Sequence, residues 1–594
     1  MRKGNLLKVI SNLEMGYPLM KLEAIYHRPY SEFAFPIDPD TLVIRLRTAK
    51  NDINNCILIY HEKYDFTQRG KAKMNKVASD EMFDYYEVEL NVGIKRFKYM
   101  FYLEDVYSVK WYSNDGFFDY MPQWGHFTYS YICKEDIFEE VEWFCNSTIY
   151  QIFPDRFAKV PPDTSSVGSR MIHGGNIKGI LDKFDYLVNL GVDVIYLNPV
   201  FKSESYHRYD IVDYYEIDPA FGDKRELKEL IDMCHRNGIK VIFDGVFNHS
   251  SDKLFAFKDV VEKGEKSKYV NWFHIYSFPV EAYPRPNYEC FSFYGGMPKL
   301  NTGNPETAQY LLDVVRYWTE EFGVDGWRLD AADEVDRKFW RKLRDMLKSL
   351  NRDTVLIGEI YDESSSWLWG DQFDSVMNYP LKWMVDDFFA HRSIDVETFK
   401  KRINGYIMKF NKKVLNSLVN VISTHDTPRF LTLCDGDEKK FEPAVVFQFT
   451  FPGVPLIYYG DEIGMEGEGD PDCRRPMIWD EAKWNGKIFE LYRFLIDLRK
   501  RFDALRVGEY GELNVTGGKG ILAYRRGRGE DGIIVVMNTL DQKENILVRT
   551  GEFFDGVKAF ESLKDNEVVR IERKSINICL KPFEWRIYKA CGEL

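Results

Sequence analysis

The sequence predicts an α/β protein built on a closed (β/α)8 barrel, flanked by N-terminal and C-terminal β-sandwich domains. Eight short apolar runs alternate with amphipathic helical stretches through the middle of the chain. Runs of β-branched and aromatic residues, separated by turn residues, flank that region on both sides. With 594 residues, 45% of them hydrophobic, the chain has material for several cores.

Each element follows in order. Residues 1–19 fit neither pattern and are either a tail or a stretch ahead of a true start at Met20. Residues 20–135 carry strand-like runs at 42–47, 57–60, 85–90 and 97–102, the spacing of a β-sandwich. From Thr148 the rhythm changes, and residues 136–503 form the barrel region. Its strands are expected at 149–153, 192–197, 241–246, 326–330, 355–359, 375–378, 418–422 and 455–459. The helix after the second strand shows the pattern well: Leu227, Leu230, Ile231 and Cys234 share one face, and Gly238 ends it. The stretch 250–304 is too long for a simple loop and is expected as an excursion over the barrel mouth. Strand-like runs return in 504–594 as a terminal β-sandwich.

Composition excludes several classes. Lys plus Arg number 80 and Asp plus Glu 93, a net charge of −13, with no basic stripe. That argues against nucleic acid and anionic membranes as partners. No apolar run reaches the length of a membrane span. The nine cysteines are scattered without a CxxC pair, which fits neither a disulfide framework nor a zinc site and points to a reducing cytoplasm. Aromatic residues make up 16%, and their flat apolar faces suit sugar rings.

In such a barrel the active site lies at the C-terminal ends of the strands. The third strand ends Asp244-Gly-Val-Phe-Asn-His249, the fourth Arg328-Leu-Asp330 and the fifth Gly358-Glu359. The seventh runs into Ser423-Thr-His-Asp426 and the eighth into Gly460-Asp-Glu462. This ring of carboxylates has neither a metal-ligand spacing nor a phosphate loop, so it points to glycoside hydrolysis, which needs one ionised carboxylate and one protonated acid. Residues i and i+2 on a strand share a face, so Arg328 is placed to keep Asp330 ionised as nucleophile. Glu359 on the next strand is the acid/base, its pKa raised by burial and by neighbouring carboxylates. Asp426 is a third carboxylate for sugar hydroxyls. Asp244 is read as support for Arg328. Trp318, Trp340 and Trp383, on expected helices, are read as packing.

These segments resemble the ordered signature regions of the α-amylase superfamily, glycoside hydrolase family 13. Met297-Pro-Lys-Leu-Asn301, Thr424-His-Asp-Thr-Pro-Arg429, Tyr459-Gly-Asp-Glu-Ile-Gly-Met465 and Asp470-Pro-Asp-Cys-Arg-Arg-Pro-Met477 resemble the neopullulanase, cyclomaltodextrinase and maltogenic amylase subgroup. So does Leu22-Glu-Ala-Ile-Tyr-His-Arg-Pro29, which opens that subgroup's starch-binding-type N-terminal domain. The resemblance implies Asp330 as nucleophile, Glu359 as acid/base and Asp426 as transition-state stabiliser. It implies that His249, Arg328 and His425 bind or order the reacting sugar, that Tyr209 stacks under it and that His207 is a neighbouring contact. It further implies that Asp470 and Arg474 grip the next glucose on the non-reducing side, and that Glu334 lies near the leaving group.

Two departures stand out. The subgroup's Val-Ala-Asn-Glu is here Ala331-Ala-Asp-Glu334, at positions that face the acceptor. The segment after Phe153-Pro-Asp-Arg-Phe157, where calcium ligands occur in the subgroup, reads Ala158-Lys-Val-Pro-Pro162, and a cation at Lys159 argues against calcium there. No cofactor is therefore required on this reading, and calcium stays open only away from the subgroup's usual site. The reading is a retaining hydrolase of α-1,4 bonds in cyclomaltodextrins, maltodextrins and pullulan, with α-1,6 activity and transglycosylation open. A homodimer through the N-terminal domain is implied by the resemblance. The competing readings are a predominantly transferring 4-α-glucanotransferase, a non-catalytic glucan-binding protein, and a metal-dependent lyase or isomerase on the same barrel.

Overall fold

The computed structural model describes residues 20–161 and 171–592; the expectations for residues 1–19 and for Pro162 lie outside the described residues. The chain divides into two compact units.

The first unit runs to Phe138 and includes Glu397–Lys413. Strands Ala34–Asp38, Thr41–Ala49, Phe83–Leu90 and Asn75–Ser79 make one antiparallel sheet. Arg69–Lys73, Asn55–Glu62, Phe97–Glu104, Val109–Ser113, Gly116–Phe118 and Phe127–Tyr129 make the second. Alternate residues of each point inward: Leu42, Ile44 and Leu46 from the first meet Leu58, Tyr99 and Phe101 from the second in one buried cluster. The segment Glu397–Lys413 is tied in by Arg45, which is buried and paired with Glu87 at 2.8 Å. Arg45 also donates to the carbonyls of Met408 at 3.3 Å and Phe410 at 2.7 Å.

The second unit, Glu139–Val396 with Val414–Leu594, holds the barrel and the C-terminal sheets. The barrel strands are β1 (Ile149–Ile152), β2 (Val194–Leu197), β3 (Lys240–Gly245), β4 (Gly326–Leu329), β5 (Val355–Gly358), β6 (Ser375–Val376), β7 (Val419–Asn420) and β8 (Val454–Tyr458). They lie parallel in the order β6-β5-β4-β3-β2-β1-β8-β7. A parallel bridge between Met377 and Val419, with the Asn378 amide donating to the Val419 carbonyl at 2.8 Å, joins β6 to β7 and closes the ring. The strands read as unbroken apolar runs because both their faces are covered. Ile149, Val194, Tyr196, Ile242, Val355, Ile357 and Leu456 fill the interior. Gly326 opens β4 where no larger residue fits, since a Cβ there would strike Val355.

The helix Lys224–Arg236 starts at a capping box, Asp223 accepting from the Glu226 amide at 2.8 Å, and is followed by Gly238 at φ +73°. The excursion after β3 contains the helix Phe255–Lys263 and the bridges His249 to Lys299 and Phe273 to Leu300 before the helix Pro305–Phe322 begins. A second insertion was not anticipated from sequence: after β2, strands Phe201–Ser203 and Ile211–Ile217 pair as a hairpin. Beyond the barrel, a six-stranded and a three-stranded antiparallel sheet enclose Ile534, Val536, Phe560, Ile576 and Ile578. Among the described residues no helix is long and apolar enough to cross a membrane.

Candidate active site

At the mouth of the barrel one guanidinium organises the carboxylates. Arg328 points inward from β4 and is almost wholly buried. Its Nη1 donates to Asp244 Oδ1 at 2.8 Å and to Asp330 Oδ1 at 2.9 Å, and its Nη2 pairs with Glu359 Oε1. Asp244, at the same level on β3, takes further bonds on Oδ2 from Tyr196 at 2.5 Å and Tyr209 at 2.9 Å. The second oxygen of Glu359 accepts the Ala331 amide at 3.0 Å. Ala331 makes that bond from the left-handed region, at φ +42° and ψ +48°, a conformation that costs an alanine about 1 kcal/mol.

Asp330 and Glu359 are both buried beside each other's charge. Burial, then the charge of Glu359, raise Asp330 well above the usual carboxylate range against the pull of Arg328. Burial likewise raises Glu359, with Arg328 opposing and Asp426 adding to the rise. Burial and the Glu359 charge therefore oppose the hold that Arg328 has on the ionised form of Asp330. A single guanidinium shared by three carboxylates does not offset the burial of Asp330 and Glu359, so both carboxyls stand above their ordinary range.

A second network flanks the first. Gln151, on β1, donates to His425 Nδ1 at 2.9 Å, which assigns the proton to Nε2. From Nε2, His425 reaches Tyr209 Oη at 2.6 Å and Asp426 Oδ2 at 3.0 Å. The rings of Tyr209 and His425 lie parallel, 2° apart in plane with centroids 5.5 Å apart. Arg474 donates to Asp426 Oδ1 at 2.9 Å, to the His425 carbonyl at 2.7 Å and to Tyr206 at 3.0 Å, and it pairs with Asp470 at 2.9 Å. Burial alone would raise Asp426; the His425 ring and the Arg474 guanidinium overcome it and hold the carboxyl well below its usual range.

The hairpin after β2 delivers His207 and Tyr209, with the Tyr209 amide donating to His207 Nδ1 at 3.1 Å. Burial lowers the His207 pKa. His249 stacks on Phe291 at 4.6 Å, and burial, helped by Lys299, pushes it down to about 3, so it is neutral. Glu334 stands apart from the Arg328 cluster. It accepts from Asn248 at 3.0 Å and lies 3.6 Å from Lys299.

Asp461 and Glu462 do not join the carboxylate ring, contrary to their strand-end position. Asp461 is spent on Arg429 at 2.8 Å. Glu462 turns away from the mouth and accepts from Tyr150 at 2.7 Å and from Tyr186. Burial pushes Glu462 up to about 7 from its ordinary 4.5, the two tyrosine bonds opposing. A carboxyl raised by folding favours the fold fully below its unfolded pKa and loses that contribution as pH climbs through the folded one. Glu462→Gln, neutral throughout, is therefore expected to gain in Tm relative to the parent as pH rises from 4.5 to 8, as scanning calorimetry at the two pH values would record. An equal difference at both would contradict the assignment.

Sequence reasoning missed Tyr196, Asn198 and Gln151, whose strand positions face inward but carry no chemical signature. It also misread Trp383. Trp318 and Trp340 are buried packing residues as expected, but Trp383 is 42% exposed and aligned with Tyr361 and Tyr379. After Phe157, the Lys159 ammonium donates to the His173 carbonyl at 3.1 Å, which sets a cation rather than an oxygen ligand at that position.

Two family models match the chain: alpha amylase, catalytic domain, over residues 151–507, and alpha amylase, N-terminal ig-like domain, over residues 20–133. The chain is 43% identical over 557 residues to a cyclomaltodextrinase of Thermoanaerobacter pseudethanolicus, covering 91% of this chain and 96% of that one. It is 42% identical over 587 residues to neopullulanase 2 of Thermoactinomyces vulgaris, covering 96% and 99%. A solved cyclomaltodextrinase structure matches with a TM-score of 0.91 at 38% identity, over 96% of this chain and 100% of that chain. Two domain models matched in order, whole-length relatives and a barrel of the same architecture agree, and the chain belongs to the α-amylase family.

Proposed function

We propose that this protein is a retaining α-glucan hydrolase that opens cyclomaltodextrins and cleaves maltodextrins and pullulan. The observation that carries the reading is the single Arg328 guanidinium joining Asp330 to Glu359, with Asp426 held ionised at the edge of the same cluster. Carboxyls on the two terminal nitrogens of one guanidinium stand close together, which favours double displacement over an arrangement with a water between them. The activities named for the cyclomaltodextrinase and neopullulanase relatives support the substrate class.

The steps follow from the charges. The pair holds one proton, and in the productive state it sits on Glu359. Glu359 gives it to the glycosidic oxygen as the bond to the anomeric carbon breaks, and Asp330 attacks that carbon, forming a covalent β-glucosyl ester. Glu359, now ionised, takes a proton from water, whose oxygen displaces Asp330 and releases the α-anomer. Asp426 binds sugar hydroxyls and stabilises the positive charge that develops on the ring. Tyr209 lies under that sugar, with His207, His249, Arg328 and His425 around it; Asp470 and Arg474 take the next glucose, and Glu334 borders the leaving side. An acceptor sugar in place of water gives transfer. No cofactor enters these steps.

The setting is part of the proposal. All nine cysteines are free, which suits the cytoplasm. Exposed Tyr64, Phe66, Tyr120 and Trp124 on the N-terminal sandwich support its use as a homodimer interface.

Product analysis tests the reading. With β-cyclodextrin, pullulan and soluble starch, β-cyclodextrin is expected to fall fastest, to maltose and glucose, and proton NMR should show α-anomers first. Sparing of all three glucans, or β-anomers first, would sink it. Products longer than the substrate at modest maltotriose concentration would move it to the transferase.

A further inference from the structure

Tyr361 follows Glu359 by two residues, on the loop after β5, while Tyr379 and Trp383 stand four residues apart on the helix Tyr379–Val385 after β6. Four-residue spacing brings two helical side chains onto one face. The Tyr361 ring lies flat on Tyr379, with centroids 4.0 Å apart and planes 10° apart. The Trp383 indole is 5.8 Å from Tyr379 and 6.4 Å from Tyr361, tilted by 24° and 23°. Those nearly equal distances place the indole beside the stacked pair rather than at its end, so the rings make a stepped surface. Tyr379 is buried as its base, while Tyr361 and Trp383 stay 39% and 42% exposed.

The half-exposed indole is held in place. Lys382, buried and paired with Asp386 at 2.7 Å, has its ammonium 5.2 Å from the indole centroid, within cation–π range. A ring fixed before binding loses little rotamer freedom when a ligand covers it. Its position identifies the ligand. The glucan portion that leaves accepts its proton from Glu359, so it departs on the Glu359 side, toward the loops after β5 and β6. The opposite flank belongs to Asp470 and Arg474, on the loop after β8. A flat apolar face along the departing path matches the CH-lined face of a glucosyl ring.

We propose that Trp383 carries a glucosyl unit of the leaving arm of the glucan, farther from the cleaved bond than Tyr361, and so biases the enzyme toward cyclic and longer glucans over short ones. This rests on the reading of the chain as an α-glucan hydrolase. Trp383 is a binding residue that takes no part in proton or glucosyl transfer.

Steady-state kinetics of the full-length protein, wild type beside Trp383→Ala and Trp383→Phe, test it on β-cyclodextrin and on an aryl α-maltoside whose leaving group ends at the aryl ring. Trp383→Ala is expected to raise KM for β-cyclodextrin about tenfold with kcat nearly unchanged. The aryl maltoside constants should stay within about twofold, the tenfold loss on β-cyclodextrin being a contact that this substrate cannot make. Trp383→Phe should recover most of the loss. An unchanged KM for β-cyclodextrin in Trp383→Ala would overturn the proposal. So would an equal loss on both substrates, which marks a displaced site rather than a missing contact. A wild type that cleaves neither substrate overturns the hydrolase reading itself and this inference with it, a pattern distinct from an active wild type matched by its variant.

Discussion

Glu359→Gln is expected to lower kcat on β-cyclodextrin by about 10³-fold or more, because the variant cannot protonate the departing oxygen. The amide keeps the shape, and its oxygen can still accept the Ala331 amide, so the fold should persist by circular dichroism. An α-maltosyl fluoride separates the roles, since fluoride leaves without a proton. On it the loss should be far smaller and the alkaline limb of the pH profile should vanish. The acid limb should stay nearly in place, because Glu359 is already neutral when Asp330 ionises and a neutral amide leaves that step unchanged. A Glu359→Gln variant within tenfold of wild type on β-cyclodextrin would refute the assignment.

Arg328→Met is expected to cost about 3–5 kcal/mol of stability at neutral pH, the usual penalty for removing one partner of a buried ion pair. Here the loss leaves Asp244, Asp330 and Glu359 together without their common cation. The pH dependence identifies the cause. Without Arg328, which holds them down, the raised Asp330 and Glu359 carboxyls rise further, and a raised carboxyl favours the fold at low pH and loses that contribution as pH climbs. The gap to wild type should therefore be widest above neutrality and shrink toward pH 4 in urea titrations followed by fluorescence. Arg328→Lys should recover only part of it, because an ammonium is a point charge and cannot hold carboxylates on separate, fixed nitrogens. A gap independent of pH would mean that Arg328 acts through packing alone.

Much of this site was legible before any coordinates because strand geometry is strict. Alternation puts Arg328 and Asp330 on one side of β4, and a barrel places every strand end at one mouth, so the Arg328, Asp330, Glu359 and Asp426 constellation follows from spacing. Strand-end position, however, gives height and not direction, which is why Glu462 was counted with a ring it turns away from. The upward shift of the Asp330 and Glu359 carboxyls was also out of reach. A sequence displays Arg328 two residues from Asp330, but not the depth of burial or the other carboxylates that share the guanidinium. Loops were least legible of all. The hairpin that presents His207 and Tyr209 begins with a three-residue strand, too short for any periodic signal. Tyr361 reaches Tyr379 across a loop that no pattern describes, and an indole on a helix is usually core, so Trp383 looked like packing.

The contact between the Ala331 amide and Glu359 has a consequence for how such a site is mapped. It is made by the main chain, from a residue already carrying the side chain that a truncation survey would install. An alanine scan of the barrel mouth would therefore pass over position 331 without a change and assign its share of holding Glu359 to the neighbours. Only an edit to the backbone itself, such as an ester in place of that amide, would expose how far the acid/base depends on a bond that belongs to no side chain.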